Sequence, residues 1–175
     1  MASPLLNIPN VLTMLRVALI PVLVVLAYLP YDWRFVASAL VFLVAAVTDW
    51  FDGYLARRLN QTSAFGRFLD PVADKLMVAA ALVILVQWHH DRMLVVISAI
   101  VIVSREITIS ALREWMAKVG AARSVAVSMI GKIKTTAQMI AIPMLLFYQP
   151  LLGIGIAGFG RWLLWFAAVL TVWSM

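Results

Sequence analysis

At 175 residues the chain is long enough for one domain, and 65% of it is apolar. Its mean hydropathy of +1.00 lies far above that of soluble globular proteins and predicts an integral membrane protein. A formal charge of +6 without a soluble domain excludes nucleic acid as a partner; the absence of cysteine excludes disulfide and thiol chemistry.

A membrane-spanning helix needs about 20 largely apolar residues, and the chain offers six such stretches. The first runs from Val11 to Leu29. It lacks a basic leader and a small-residue cleavage site, so it reads as a retained helix. Asn10, Thr13 and Arg16 are three residues apart and share roughly one face; they either line one side of a ligand pocket or close this helix against the second. Pro9 reads as a helix start and Pro21 as a kink tolerated in a membrane helix. The second and third stretches are Phe35 to Leu55 and Val72 to Trp88. The connection after them carries His89, His90 and Asp91, which read as a solvated loop. The fourth stretch, Met93 to Leu112, leads to Arg113. Arg105 and Arg113 are eight residues apart, about two turns, and lie near one face. The fifth, Val125 to Phe147, contains Lys132 and Lys134 in GKIKTT, and the sixth is Leu151 to Trp173.

These runs are too long, and too little alternating, for strands of a barrel. The expected fold is all-α: one domain over residues 1–175, built as a bundle of six transmembrane helices. Arg57, Arg58 and Arg67 follow the second helix, and Arg113, Lys118 and Arg123 follow the fourth. The opposite connections carry mainly Arg34, Arg92 and Arg161. Basic residues stay on the cytoplasmic side, which puts both termini and the connection between the second and third helices in the cytoplasm. Trp33, Trp88, Trp115, Trp162 and Trp173 fall near span ends, as interfacial anchors do.

Four of the eight acidic residues sit in this apolar setting: Asp49 and Asp52 in TDWFDGYLARR, Asp70 and Asp74 in FGRFLDPVADK. A carboxylate at membrane depth costs roughly 2.5–3.5 kcal/mol, so four together require compensation. Spacings of three and four place each pair on a shared helix face. Two such faces turned toward each other make an oxygen-rich nest suited to Mg²⁺ or Mn²⁺, near the cytoplasmic interface. The competing reading is a set of helix-end charges paired with Arg57, Arg58, Arg67 and Lys75.

From Asp49 to Asp74 the chain follows D-x2-D-G-x2-A-R-x8-G-x3-D-x3-D, through Asp49, Asp52, Gly53, Ala56, Arg57, Gly66, Asp70 and Asp74. This resembles the signature of the CDP-alcohol phosphotransferase family of integral membrane enzymes. The resemblance implies a CDP-activated lipid donor, two divalent ions and displacement of CMP by an alcohol. It implies Asp49, Asp52 and Asp70 as principal metal ligands. It makes Asp74 the base for the attacking hydroxyl, with a metal contact left open. Gly53 lets a ligand approach the helix backbone, Ala56 keeps that space open, and Arg57 can donate paired hydrogen bonds to phosphate. Gly66 completes the donor-side set, together with Asn10, Thr13 and Arg16.

NIPNVLTMLR, SREITISALREWMA and GKIKTTAQM extend the resemblance to members of bacterial cytoplasmic (inner) membranes whose donor is CDP-diacylglycerol and whose acceptor is glycerol 3-phosphate. Arg105, Arg113, Lys132 and Lys134 are the expected ligands of the acceptor phosphate, with Arg123 a fifth. Arg105 with Glu106 could instead form a structural ion pair. The family also implies a homodimer among membrane lipids, to which Ala137, Ala141 and the glycines from Gly153 to Gly160 add a small-residue pattern. Alternatives are a family member using inositol phosphate or serine, and an acid-lined ion-coupled transporter.

Overall fold

The computed structural model describes residues 8–59, 64–119, 129–148 and 155–174. Among them are six helices and no strand. They are α1 (Ile8–Ala27), α2 (Arg34–Leu59), α3 (Ala64–Trp88), α4 (Met93–Lys118), α5 (Met129–Phe147) and α6 (Ile156–Trp173). The all-helical expectation therefore holds. Among the described residues, three helices are long and apolar enough to cross a membrane, over Asn10–Ala27, Met93–Lys118 and Ile156–Trp173, and a shorter apolar helix covers Ile133–Phe147.

Helix ends depart from the apolar runs for physical reasons. Helix α3 starts at Ala64 and passes through Pro71, because loss of one backbone donor is tolerated where neighbouring groups resatisfy the freed carbonyl. Helix α4 continues to Lys118, beyond the expected Leu112. Its last turns, ALREWMAK, are rich in helix formers, and Glu114 pairs with Lys118 at 2.9 Å, one turn apart. Hydropathy marks where an apolar segment stops; propensity carries the helix further. Helix α6 begins at Ile156, with Gly155 as its N-cap; the expected start at Leu151 lies outside the described residues. The expected start of the fifth helix, at Val125, lies outside the described residues.

The chain divides into two compact units, Met1–Ile84 and Leu85–Met175. In the first, α1 packs on α2, burying Leu23, Ala27, Ala39, Phe42 and Ala45. Small residues at this contact let the two backbones approach closely. In the second, α6 packs on both α4 and α5. Val95, Ser98, Ala99 and Ile102 form the buried face of α4, at the spacing of a helix stripe.

Three hydroxyls within the helices are satisfied one turn back along their own helix. Thr48 donates to the Val44 carbonyl (2.7 Å), Ser98 to Leu94 (2.6 Å) and Thr171 to Ala167 (2.6 Å). Each bond reaches back one turn, which is how a hydroxyl avoids an unmet donor in an apolar medium.

Gly160 sets the contact of α6 with α5. A β-carbon there would stand 3.1 Å from Leu145 Cγ, 3.2 Å from Met144 Cβ and 3.5 Å from the Ala141 carbonyl oxygen. Ala141 is itself fully buried, so these small residues serve packing within the chain. Gly160→Val overpacks this contact and is expected to destabilise the protein by about 1–3 kcal/mol. Thermal unfolding in detergent checks this, and an unchanged midpoint would contradict it.

His89 corrects the solvated-loop expectation. Its side chain is buried, with Nε2 3.4 Å from the Leu145 carbonyl oxygen and the ring tilted against Tyr148 at 5.0 Å; His90 is exposed. Polarity of the local sequence hid this, because the ring is covered by residues more than fifty positions away. Burial, the dominant cause, holds the His89 pKa below the ordinary value of 6.5. The unfolded chain therefore binds a proton more readily than the folded one. The stabilisation is fully present above pH 6.5 and is lost as pH falls toward the lower folded value. Unfolding midpoints at pH 7.5 and 5.5 are expected to differ less in His89→Gln than in the unaltered protein; equal differences would reject the assignment.

Candidate active site

In the first unit, α1 carries the partners of two signature aspartates. Arg16 Nη1 lies 2.6 Å from Asp49 Oδ1 of α2. Thr13 Oγ1 donates to Asp70 Oδ1 of α3 at 2.5 Å. Thr13 and Arg16 are one turn apart, so acids separated by twenty-one positions in sequence meet the same face of α1. Asn10, one turn earlier, is buried with them. Of the two readings of this polar row, closure of α1 against its neighbours is the one seen, and it is made on two of the acids themselves.

The electrostatics of the ion pair are lopsided. The Arg16 side chain is 1% exposed while that of Asp49 is 40% exposed. A buried guanidinium requires its counter-charge, and the aspartate that supplies it still faces outward. The two contacts use Oδ1 of each aspartate, so Oδ2 of each stands outside them.

Asp74, one turn beyond Asp70, is half-buried, and Gly66, one turn before Asp70, is buried. The sequence through Pro71 remains helical, which is what keeps Asp70 and Asp74 in the i, i+4 relation. Asp52, Gly53, Ala56 and Arg57 belong to α2 by backbone; their side chains lie outside the described residues. Among the described residues no group of three or more potential ligands stands close enough to hold a metal ion. The donor chemistry nevertheless suits Mg²⁺ or Mn²⁺. Asp49 of α2 and Asp70 of α3 offer hard carboxylate oxygens beside one face of α1, and the pairing of one oxygen of each would steady a metal ligand without consuming it.

In the second unit a buried ionic cluster joins α4 to α5. Arg105 Nη1 donates to Glu106 Oε1 at 2.9 Å, and Lys134 Nζ donates to the same oxygen at 3.2 Å. Arg105 Nη2 reaches Ser174 Oγ at 3.4 Å, and Ser110 Oγ donates to the Glu106 backbone carbonyl. The ion pair of Arg105 with Glu106, weighed from sequence, is thus present, and it includes Lys134 as well. The structure therefore brings together two of the expected phosphate ligands. Arg113, two turns along α4, is exposed, and its charge repels that of Lys134. The Lys132 side chain and Arg123 lie outside the described residues.

Sequence reasoning did not find Glu106 as the partner of Lys134, twenty-eight positions away. A signal was available. Only Glu106 and Glu114 are acidic after Asp91, and an acid within an apolar helix needs a cation.

These features, a polar α1 face set on signature acids and a buried cation cluster in an apolar helical chain, agree with the family comparison. Residues 6–173 match the model of the CDP-alcohol phosphatidyltransferase family, and the chain belongs to that family. Curated relatives named CDP-diacylglycerol--glycerol-3-phosphate 3-phosphatidyltransferase are similar over almost the whole chain. That of Salmonella choleraesuis (strain SC-B67) is 56% identical over 169 residues, covering 97% of this chain and 91% of the relative. The protein of Escherichia coli (strain K12) shows 56% identity over 169 residues with the same coverage, and that of Pectobacterium atrosepticum 56% over 171.

Proposed function

We infer that this protein transfers the phosphatidyl group of CDP-diacylglycerol to glycerol 3-phosphate, giving phosphatidylglycerophosphate and CMP. The observation that carries this is the 56% identity, over 97% of the chain, to relatives named for that activity. The oxygen of the acceptor hydroxyl bonds to the phosphorus that carries the diacylglycerol, the bond from that phosphorus to CMP breaks, and the hydroxyl proton leaves to a base.

Asp74 takes that proton. Asp49, Asp52, Asp70 and Asp74 would hold two divalent ions, Mg²⁺ or Mn²⁺, which would supply charge neutralisation at the pyrophosphate and the leaving phosphate. The ion pair of Asp49 with Arg16 and the hydrogen bond of Asp70 from Thr13 support this by orienting those two carboxylates. Gly53, Ala56, Arg57, Gly66, Asn10, Thr13 and Arg16 serve the CDP-lipid. Arg105, Arg113, Lys132 and Lys134, with Arg123, bind the acceptor phosphate. Convergence of Arg105 and Lys134 on one carboxylate oxygen supports an anion site, since phosphate presents several acceptor oxygens to such donors.

All six helices cross the bacterial cytoplasmic (inner) membrane as one functional domain, with both termini and the acidic residues on the cytoplasmic side. Phe68, Val83, Ile107 and Phe159 are each more than half exposed, which suits contact with lipid. The protein acts as a homodimer. A panel of acceptors tests the reading: with CDP-diacylglycerol and Mg²⁺, glycerol 3-phosphate is expected to support lipid product and serine and inositol phosphate are not. Product with either of the latter in preference would reassign the acceptor.

A further inference from the structure

Among the described residues, Glu106 is the one acid in the buried cation cluster of the second unit. Its side chain is 29% exposed, against 11% for Arg105 and 5% for Lys134. It neutralises one of two buried positive charges and does so with a single oxygen, Oε1, that accepts from both cations. Arg105 Nε is buried without a hydrogen-bond partner. So is Gln138 Nε2, one turn beyond Lys134 on α5 and 5% exposed. Donors left unmet at such depth are costly. The cluster therefore has more positive charge and more donors than its one carboxylate can answer, which is the condition for taking up a second anion.

We propose that Glu106 is a built-in counter-ion that the acceptor phosphate displaces from Lys134, and that it thereby sets the affinity for acceptor. This rests on the assignment of Arg105 and Lys134 to the acceptor phosphate. Without Glu106, Arg105 and Lys134 would repel each other in an apolar setting, and the first anion to arrive would be held tightly. With it, the cations stay paired between turnovers, and phosphate must compete for the same ammonium. The competition works in both directions. The lipid product still carries the phosphate that came from glycerol 3-phosphate, so the returning carboxylate also favours its release. Glu106 is in this sense a specificity-determining and positioning residue, without contact to the reacting atoms.

Glu106→Gln keeps the shape and removes the competing charge. It is expected to lower the KM for glycerol 3-phosphate roughly tenfold, the value of about one charge-assisted hydrogen bond. It is also expected to lower kcat, because product leaves more slowly, while the KM for CDP-diacylglycerol stays unchanged. Inorganic phosphate, competing with the acceptor, should inhibit the variant more strongly by a similar factor. A merely structural role would raise KM or leave it alone, and either result overturns the proposal. Should the variant fail to fold, Glu106→Asp retracts the carboxylate by one methylene and should lower the acceptor KM by a smaller factor; an increase or no change there also overturns it. Lys134→Met separates the two levels of inference. If that variant leaves the acceptor KM unaltered, the phosphate-site assignment fails. If it raises the KM but the Glu106 variants do not lower it, the counter-ion role alone fails.

Discussion

Asp74→Asn is expected to reduce turnover by roughly 10²- to 10⁴-fold, the range for loss of a positioned general base, while CDP-diacylglycerol still binds. The amide has nearly the same shape as the carboxylate but cannot accept a proton from the acceptor hydroxyl. Asp74 lies one turn beyond Asp70 on a helix that runs unbroken through Pro71, so the substitution leaves backbone placement intact. A nearby divalent cation lowers the basicity of a carboxylate, and for that reason the base should be the least tightly metal-bound of the four aspartates. The split between binding and turnover checks this directly. Donor binding measured in detergent should change little, and single-turnover CMP release should collapse. Activity within a few-fold of the unaltered protein would remove Asp74 from the role of base. Parallel loss of binding and turnover would instead make it chiefly a metal or donor ligand.

Lys134→Met is the second large effect, and it falls on the acceptor alone. The variant keeps the length and the buried aliphatic stem of the side chain and deletes only the ammonium. A hydrogen bond to a charged group contributes about 1.5–3 kcal/mol, which corresponds to roughly a 10- to 100-fold rise in the KM for glycerol 3-phosphate. The KM for CDP-diacylglycerol should remain within about twofold. Because Lys134 also neutralises Glu106 at 3.2 Å, some loss of stability accompanies the change, and a thermal melt reports it separately from the kinetic constants. Equal increases in both KM values would place Lys134 outside the acceptor site.

The sequence made the helices legible because their signal is repeated over many residues: six apolar runs gave six helices. Their ends were less legible, as α3 through Pro71 and α4 past Leu112 illustrate, since hydropathy reports the apolar medium while helix propensity and i, i+4 pairing decide where coiling stops. The signature acids were legible because a carboxylate in an apolar setting demands an explanation from its own position. Their partners were only half so. The three-residue spacing of Asn10, Thr13 and Arg16 put them on one face, yet nothing in that spacing says the face meets Asp49 and Asp70. The same limit applies to Lys134, which was read as a phosphate ligand from its charge while its ion pair with Glu106 depends on tertiary packing. His89 shows the limit most clearly, because a polar loop sequence gave no sign of the α5 carbonyl and the Tyr148 ring that cover it.

The most direct measurement is acceptor-dependent release of CMP by the purified protein in detergent, with CDP-diacylglycerol and Mg²⁺ present and the lipid product identified alongside. CMP and phosphatidylglycerophosphate formed in equal amounts, only when glycerol 3-phosphate is added and not when the divalent cation is chelated, is the predicted result. CMP release that is indifferent to glycerol 3-phosphate, or no release from protein that retains its helical fold, would contradict the assignment of phosphatidyl transfer to this acceptor.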